Sequence, residues 1–259
     1  MEPPVPPLVS ALLLFLGMLI LEEAGRHLGI RRLLKETDAE WGNLGSIESA
    51  VFALFGLLMA FTFSGAALRF NEKRMLMTEE ANHIETAYLR LHLLSHEARL
   101  EIQDLFRRYM DSRLETYRRL PNMPSARLEM AKSKKIQEEI WTHAVAATRL
   151  PDSDPAASWL VLPALNNMID IATTRTMALQ LHPPEIIYAL LFGLGLMCSL
   201  LAGYRLARGR HRSWLHIIGF CIITAIVVYV IQDIEYPRMG LIRLDAADEL
   251  LVKLRDGMK

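Results

Sequence analysis

Two histidines and an adjacent carboxylate are the residues of this chain whose spacing first suggests metal chemistry. His92 and His96 are four residues apart in a helical stretch, so both imidazoles can face one ion, and Glu97 adjoins them. The HExxH order is missing, as are a third ligand at helical spacing, a Gly-rich phosphate loop and a GxSxG motif. We therefore interpret the pair as hydrogen-bonded histidines, and we predict no metal, no cofactor and no enzymatic activity.

Two groups of acids and amides are the other polar candidates. The first comprises Glu79, Glu80, Asn82 and Glu85, and the second comprises Asn166, Asn167, Asp170 and Arg175. Such groups form either a buried polar network between helices or the lining of a wet vestibule. The network is favoured, because buried polar groups in helical bundles commonly satisfy one another.

Four apolar segments place these residues in a membrane protein. The chain is 52% hydrophobic and 22% charged, and its zero net charge gives no indication of a nucleic-acid partner. Cys198 and Cys221 both lie in apolar segments, so we expect two buried thiols rather than a disulfide. The predicted membrane helices, each long enough to cross or nearly cross a bilayer, are Val5–Leu21, Ser49–Leu68, Ile186–Tyr204 and Trp214–Gln232.

The rest of the chain predicts an all-α protein. Met75–Tyr117 contains no Gly or Pro, so the second membrane helix is predicted to continue into water as a long rod, either as one helix or as two in line. Helices are also predicted at Ser125–Arg149 and Ala156–Leu181. Residues 22–48 are predicted to form a connecting loop that contains at most one short interfacial helix. The predicted divisions are 1–68 and 186–232 in the membrane, a helical domain at 69–185 and a C-terminal tail at 233–259.

An apolar stripe runs along the second membrane segment. Phe52, Phe55, Met59 and Phe63 recur at intervals of three or four residues. By default such a stripe faces lipid or packs against a neighbouring helix. The sharper hypothesis is that copies of this helix line a pore, where the stripe forms a neck that gates by wetting and dewetting.

The end of that segment resembles a known family. The apolar helix passes into Arg69-Phe-Asn-Glu72-Lys-Arg74, as the second membrane segment of prokaryotic bestrophins passes into water. The stretch Asp233-Ile-Glu-Tyr-Pro-Arg-Met-Gly240 resembles the acidic-Pro-x-Gly segment of bestrophins. Together with Glu80–Leu94 and Pro163–Arg175, it also resembles the bacterial bestrophin-like family, over nearly the whole chain after residue 45.

Several polar residues are predicted to have structural rather than catalytic roles. The predicted structural or polar-network positions are Arg69, Glu72, Arg74, Glu80, Asn82, Asn166, Asp170, Asp233, Glu235 and Pro237. Eukaryotic bestrophins carry a dense acidic calcium clasp after the last membrane helix. Here Asp233 and Glu235 are the only acids at that place, so calcium gating is not expected.

The resemblance also implies an assembly and a function. It implies a homopentamer in the bacterial inner membrane, with four membrane segments per subunit, and passive flux of small anions, chloride first, through an axial neck of second membrane helices. A cation-conducting relative leaves the sign of the ion open. The number of Lys and Arg residues near the membrane slightly favours an orientation with the short loops in the cytoplasm. The resemblance instead implies that the helical domain and both termini are cytoplasmic, and we adopt that orientation.

The alternative function is a non-conducting membrane sensor or scaffold that acts through its helical domain.

Overall fold

The computed structural model describes residues 5–33, 38–119, 122–207, 214–237, 241–242 and 245–258. No strand occurs within those ranges, so the predicted all-α fold is confirmed. Residues 238–240 of the Asp233–Gly240 motif lie outside them. The helices are α1 (Pro7–Leu33), α2 (Asp38–Arg90), α3 (His96–Arg119), α4 (Met123–Ala147), α5 (Ala157–Ala178), α6 (Glu185–Leu206), α7 (Trp214–Glu235) and α8 (Asp245–Gly257).

These helices form two compact units. The first, here called the membrane unit, comprises Met1–Phe70 and His182–Ile242. The second, the helical unit, comprises Asn71–Leu181 and Arg243–Lys259. Helix α2 contributes residues to both units. The tail that the sequence suggested as one segment after residue 232 is divided between them, because α8 belongs to the helical unit.

The membrane unit contains four helices that are long and apolar enough to cross a bilayer, as predicted. Their directions follow from the residues that meet. Ser10 of α1 donates to Gln232 of α7, whereas Glu22 of α1 lies near Cys221, so α1 and α7 are antiparallel. Phe52 of α2 packs against Phe220 of α7, and Arg69 binds Glu235, so these two helices are parallel. This alternation is what successive crossings require.

Helices α1 and α6 run parallel and touch through their backbones. A methyl group added at Gly203 of α6 would lie 1.9 Å from the carbonyl oxygen of Glu22. A methyl group at Gly25 of α1 would lie 2.0 Å from the carbonyl oxygen of Leu200, and one at Gly29 would lie 2.5 Å from that of Tyr204. Small residues therefore set the distance between these helices, as in other membrane proteins.

The loop predicted at residues 22–48 is mostly helical, so that prediction was wrong. Helix α1 continues to Leu33 and α2 already begins at Asp38. Gly25 and Gly29 are contact residues against α6, and the packing that they allow outweighs the low helix propensity of glycine. Arg31 and Arg32 lie in the last turn of α1, where positive charge favours the helix.

The rod predicted at Met75–Tyr117 is also wrong in its second half. Helix α2 ends at Arg90, a 3₁₀ turn covers Leu91–Leu93, and α3 then runs back along α2. Tyr88 packs against Phe106 with ring centroids 5.7 Å apart. No Gly or Pro marks the reversal, which is held by contacts with a distant loop: the Ser95 backbone N–H donates to Ser153 Oγ at 3.1 Å.

The helical unit is an antiparallel bundle of the end of α2 with α3, α4 and α5. Ser112 of α3 shares a hydrogen bond with Ser133 of α4 at 2.8 Å, and Gln137 Nε2 of α4 donates to Tyr109 Oη of α3 at 3.1 Å. Helix α8 adds to this bundle, with Arg255 Nε 2.7 Å from Asp111 Oδ1. Large side chains that are completely buried in this core include Ile84, Phe106, Tyr109, Ile140, Leu165 and Met168.

The contact between α1 and α6 predicts a large effect of a small substitution. We expect Gly203→Ala to lower the stability of the detergent-solubilised protein by about 1–3 kcal/mol, because its methyl group forces the two backbones apart. The measurement is the midpoint of thermal unfolding.

Gly193→Ala is the matched control, because it introduces the same methyl group in α6 at a place with no atom within 4 Å. A Gly203→Ala midpoint equal to that of Gly193→Ala would contradict the close backbone contact.

Candidate functional site

The uncharged part of α2 has one face against its own subunit. Phe55, Thr62 and Ala66 are at most 7% exposed, and they mark the side that packs against the other membrane helices. The Thr62 hydroxyl donates to the Leu58 carbonyl at 2.7 Å, which satisfies its polar group inside the same helix. The remaining side of α2 has no partner among the described residues of this chain.

The four residues predicted for the neck do not share that remaining side. Phe55 is 3% exposed and lies 3.3 Å from the position that a methyl group would take at Gly195. Phe52 packs against Phe220 at 5.8 Å, and Met59 is partly buried against the same apolar core. Of the four, Phe63 alone is exposed, at 43%. The Phe55 ring fills the interior of the subunit, so the neck proposed below does not include it.

The exposed side of the same segment carries other apolar residues. Leu57 is 53% exposed and Phe61 is 68% exposed, one helical turn further along. Between and beside them lie the small residues Ala53, Ala60 and Ser64, which are also exposed. Three of the four predicted neck residues lie on the buried or partly buried side of α2, whereas small residues recur on the exposed side. The recurrence of small residues is therefore the sequence feature that indicates the exposed side.

A buried ion pair fixes the end of this segment. Glu235, at the end of α7, is 1% exposed and accepts two hydrogen bonds from Arg69, with Nε at 2.9 Å and Nη2 at 2.8 Å. His182 Nδ1 lies 3.3 Å from the other carboxylate oxygen, and the His182 ring stacks on Tyr236 at 4.7 Å. Such a two-pronged guanidinium–carboxylate contact holds both helices in a fixed register.

The neighbouring Asp233 stabilises the turn after α7. It is 1% exposed and accepts backbone N–H groups of Leu241 at 3.1 Å and Ile242 at 2.9 Å. Pro237 is buried in the same turn. Asp233 and Glu235 thus bind donors from the protein. Among the described residues, no group of three or more His, Cys, Asp or Glu side chains is arranged to hold a metal ion.

A second buried network lies inside the helical unit, where Glu80 is completely buried between two arginines. Its carboxylate accepts hydrogen bonds from Arg113 Nε at 2.7 Å, from Arg175 and from the Tyr117 hydroxyl at 3.2 Å. The Arg175 guanidinium also lies over the Tyr117 ring, 3.8 Å from its centroid. The network joins α2, α3 and α5.

The charges of this network are mutually stabilising. Burial acts to raise the pKa of the Glu80 carboxyl, but the guanidiniums of Arg113 and Arg175 outweigh it, so the pKa lies below its ordinary value. Burial raises the pKa of Tyr109 to about 12 and also raises the pKa of Tyr117. At neutral pH, Glu80 is therefore ionised and both phenols are neutral.

Other predicted polar residues lie on the surface. Glu72, Arg74 and Asn82 are exposed on α2, as are Glu79 and Glu85. Asn166 donates to Asp170 at 2.9 Å on an exposed face of α5. The second group of acids and amides is thus divided between a buried network, which includes Arg175, and the surface.

His92 and His96 are engaged by one arginine. Arg99 Nη1 lies 3.1 Å from His92 Nδ1, and Arg99 Nη2 lies 2.9 Å from His96 Nδ1. A guanidinium only donates, so each Nδ1 is an acceptor and each imidazole carries its proton on Nε2. This arrangement ties both rings to the first turn of α3. Cys198 and Cys221 are buried free thiols, as predicted.

Comparison with known proteins decides the family. A family model described as "Bestrophin-like domain" matches residues 44–247. The chain belongs to the bestrophin-like family. Its fold is similar to that of a point mutant of a bacterial bestrophin homolog from Klebsiella pneumoniae, with a TM-score of 0.64 and 14% sequence identity. That alignment covers 92% of this bestrophin-like chain and 98% of the other. No curated protein sequence matches it.

The Glu80 network predicts a strong effect of charge removal. We expect Glu80→Gln to lower the free energy of unfolding by about 3–5 kcal/mol, because Arg113 and Arg175 would lose their buried counter-charge. Chemical unfolding of the purified protein measures the loss. Glu79→Gln, the same change at the exposed neighbouring position, is the control, and an equal effect of both would contradict the network.

The same network predicts acid sensitivity. Because the folded-state pKa of Glu80 is lowered, its contribution to stability is complete above its unfolded pKa of about 4.3 and is lost as the pH falls through the folded-state value. Stability measured from pH 5 downward should therefore fall less steeply in Glu80→Gln than in the wild type. Parallel pH profiles would show that Glu80 contributes nothing to acid unfolding.

Proposed function

We propose that this bestrophin-like protein is an oligomeric channel that passes small inorganic ions passively. Copies of α2 wall an axial passage, the assembly is a homopentamer, and chloride is the first ion to test. The single observation that carries the proposal is the unpartnered side of α2 in its uncharged part, with Leu57 and Phe61 exposed on it. A closed ring of identical subunits places that side at the symmetry axis.

The proposed neck consists of Leu57 and Phe61, with Phe63 next to them. Leu57 and Phe61 are one turn apart, so a ring of subunits would present two successive apolar layers. Apolar constrictions gate by wetting and dewetting rather than by a charged plug. No Asp, Glu, Lys or Arg occurs in Ser49–Leu68, so the neck itself offers no fixed charge to an ion.

Rigid support for the neck comes from the buried contacts at either end of the segment. The Phe55 ring packs against Gly195 of α6, and Arg69 forms an ion pair with Glu235 of α7. Lining residues on a helix that is fixed in this way keep their orientation toward the axis. The proposal also places the protein in the bacterial inner membrane, with its helical domain and both termini in the cytoplasm, as the family resemblance implies.

Chloride flux from proteoliposomes tests the neck. We expect Phe61→Ala and Leu57→Ala to increase flux several-fold, because smaller side chains widen the constriction and make it easier to wet. Phe63→Ala should have a smaller effect in the same direction, since Phe63 is less exposed. The readout is efflux of trapped chloride after an ionophore removes the voltage, normalised to reconstituted protein.

Leu13→Ala is the matched control for Leu57→Ala. Leu13 lies in α1 and is 59% exposed, so the substitution removes the same atoms from an exposed position in another membrane helix. Equal flux changes in the two variants would contradict a neck on α2. If liposomes that contain the wild-type protein released no more chloride, sodium or potassium than empty ones at several pH values, that result would contradict the channel proposal and favour the scaffold function.

A further inference from the structure

A cavity of about 540 Å³ lies within the membrane unit, at the end of the helices opposite the Arg69–Glu235 pair. Its volume falls within the range of about 300–1,000 Å³ that small-molecule sites occupy. Residues from α1, α2, α6 and α7 line it, and the polar ones are Glu22, Glu48, Ser49, Arg205 and His216. It is a separate feature from the proposed neck and does not depend on conduction.

The cavity has apolar walls beside this polar end. Phe52 and Phe220 meet at 5.8 Å with their planes tilted by 54°, and Ile217 continues the apolar surface. A fully water-soluble ligand would gain little from such walls, whereas an amphiphile can bury methylene groups against them. The position between membrane-spanning helices favours a molecule that is supplied by the bilayer.

Two carboxylates at the polar end are almost completely buried. Glu22 is 4% exposed and Glu48 is 7% exposed. Carboxylates within membrane helices are costly and are retained mainly where they serve a site. Arg205 Nη1 contacts Glu48 Oε2 at 3.1 Å, while most of the Arg205 side chain, 64%, is exposed. The cavity thus offers both signs of charge, and the positive group is accessible from outside.

We propose that this cavity binds the headgroup of a zwitterionic aminophospholipid. The primary ammonium of a phosphoethanolamine group lies toward Glu22 and Glu48, and its phosphate lies at Arg205. Charge complementarity favours this class of lipid. An anionic lipid without an amine has no positive group to bind Glu22 and Glu48, and these carboxylates repel its phosphate. A choline group has no N–H group and so cannot donate hydrogen bonds to these carboxylates.

The experiment measures thermal unfolding of the full-length protein in detergent after removal of bound lipid. The added probes are dihexanoyl phosphatidylethanolamine, phosphatidylcholine and phosphatidylglycerol, and glycerophosphoethanolamine as a headgroup without acyl chains. We expect phosphatidylethanolamine to raise the midpoint by at least about 3 °C at saturation. Phosphatidylcholine should raise it less and phosphatidylglycerol least. A weaker effect of the free headgroup identifies the lipid as the source.

Variants connect that shift to the cavity. Glu48→Gln and Glu22→Gln should each raise the phosphatidylethanolamine concentration that gives half of the maximal shift by about tenfold, because each removes a charge-assisted hydrogen bond. Glu23→Gln is the control, since Glu23 is adjacent to Glu22 in sequence but pairs with Arg26 and His27 on the surface. If a glutamine variant does not fold, Ala202→Phe fills the cavity without changing its charge and should abolish the shift.

Three outcomes would overturn the proposal: equal shifts with all three lipids, a larger shift with phosphatidylglycerol, or an undiminished shift in Ala202→Phe. None of them bears on conduction, which the flux measurement tests separately.

Discussion

A helix can offer only part of its circumference to its own subunit, and this constraint governs α2. Through the uncharged part of α2, one side carries Phe55, Thr62 and Ala66 into the core of the membrane unit. Further along, Ile84 and Ala87 are buried in the core of the helical unit. In both stretches other positions, including Leu57, Phe61, Asn82 and Glu85, are exposed. The proposed axial assembly depends on this division of α2 into a packed side and an exposed side.

Buried charge at two places keeps α2 in position. Arg69 is bound through two nitrogens to Glu235 at the end of the uncharged part, and Glu80 is enclosed by Arg113 and Arg175 in the bundle. Both carboxylates are at most 1% exposed. Ion pairs of this kind add little net stability relative to apolar packing, but breaking one side is costly, so they favour a single register. The proposed passage lined by α2 depends on such a register.

Much of the fold was predictable because membrane helices are recognised by length and composition alone. The four crossings were found, and so were the approximate limits of α4 and α5, where Pro and polar periodicity mark the ends. The reversal after Arg90 was missed because no Gly or Pro marks it and a loop distant in sequence stabilises it. The helical end of α1 was missed because Gly25 and Gly29 allow close contact with α6, which local helix propensity does not show.

The functional residues were harder to predict for a related reason. Periodicity identifies a stripe on a helix but not what the stripe faces. Phe55 and Phe61 are equally plausible from spacing, yet one lies inside the subunit and the other on its surface. Charged residues were easier: Arg69, Glu80, Asp233 and Glu235 stand in or next to apolar sequence, where a charge needs a partner. Arg113, which binds Glu80, could not be singled out in this way because its helix contains many other charged residues.

The path of the chain through the helical unit bears on how the protein is made. Leu251 and Met258 of the last helical segment are buried in the same core as Phe106 and Ile140. Helices α6 and α7 stand between these parts in sequence. A ribosome therefore delivers both of those membrane helices before it releases the residues that complete the bundle. The core of the helical unit can therefore be completed only after both membrane helices have been synthesised.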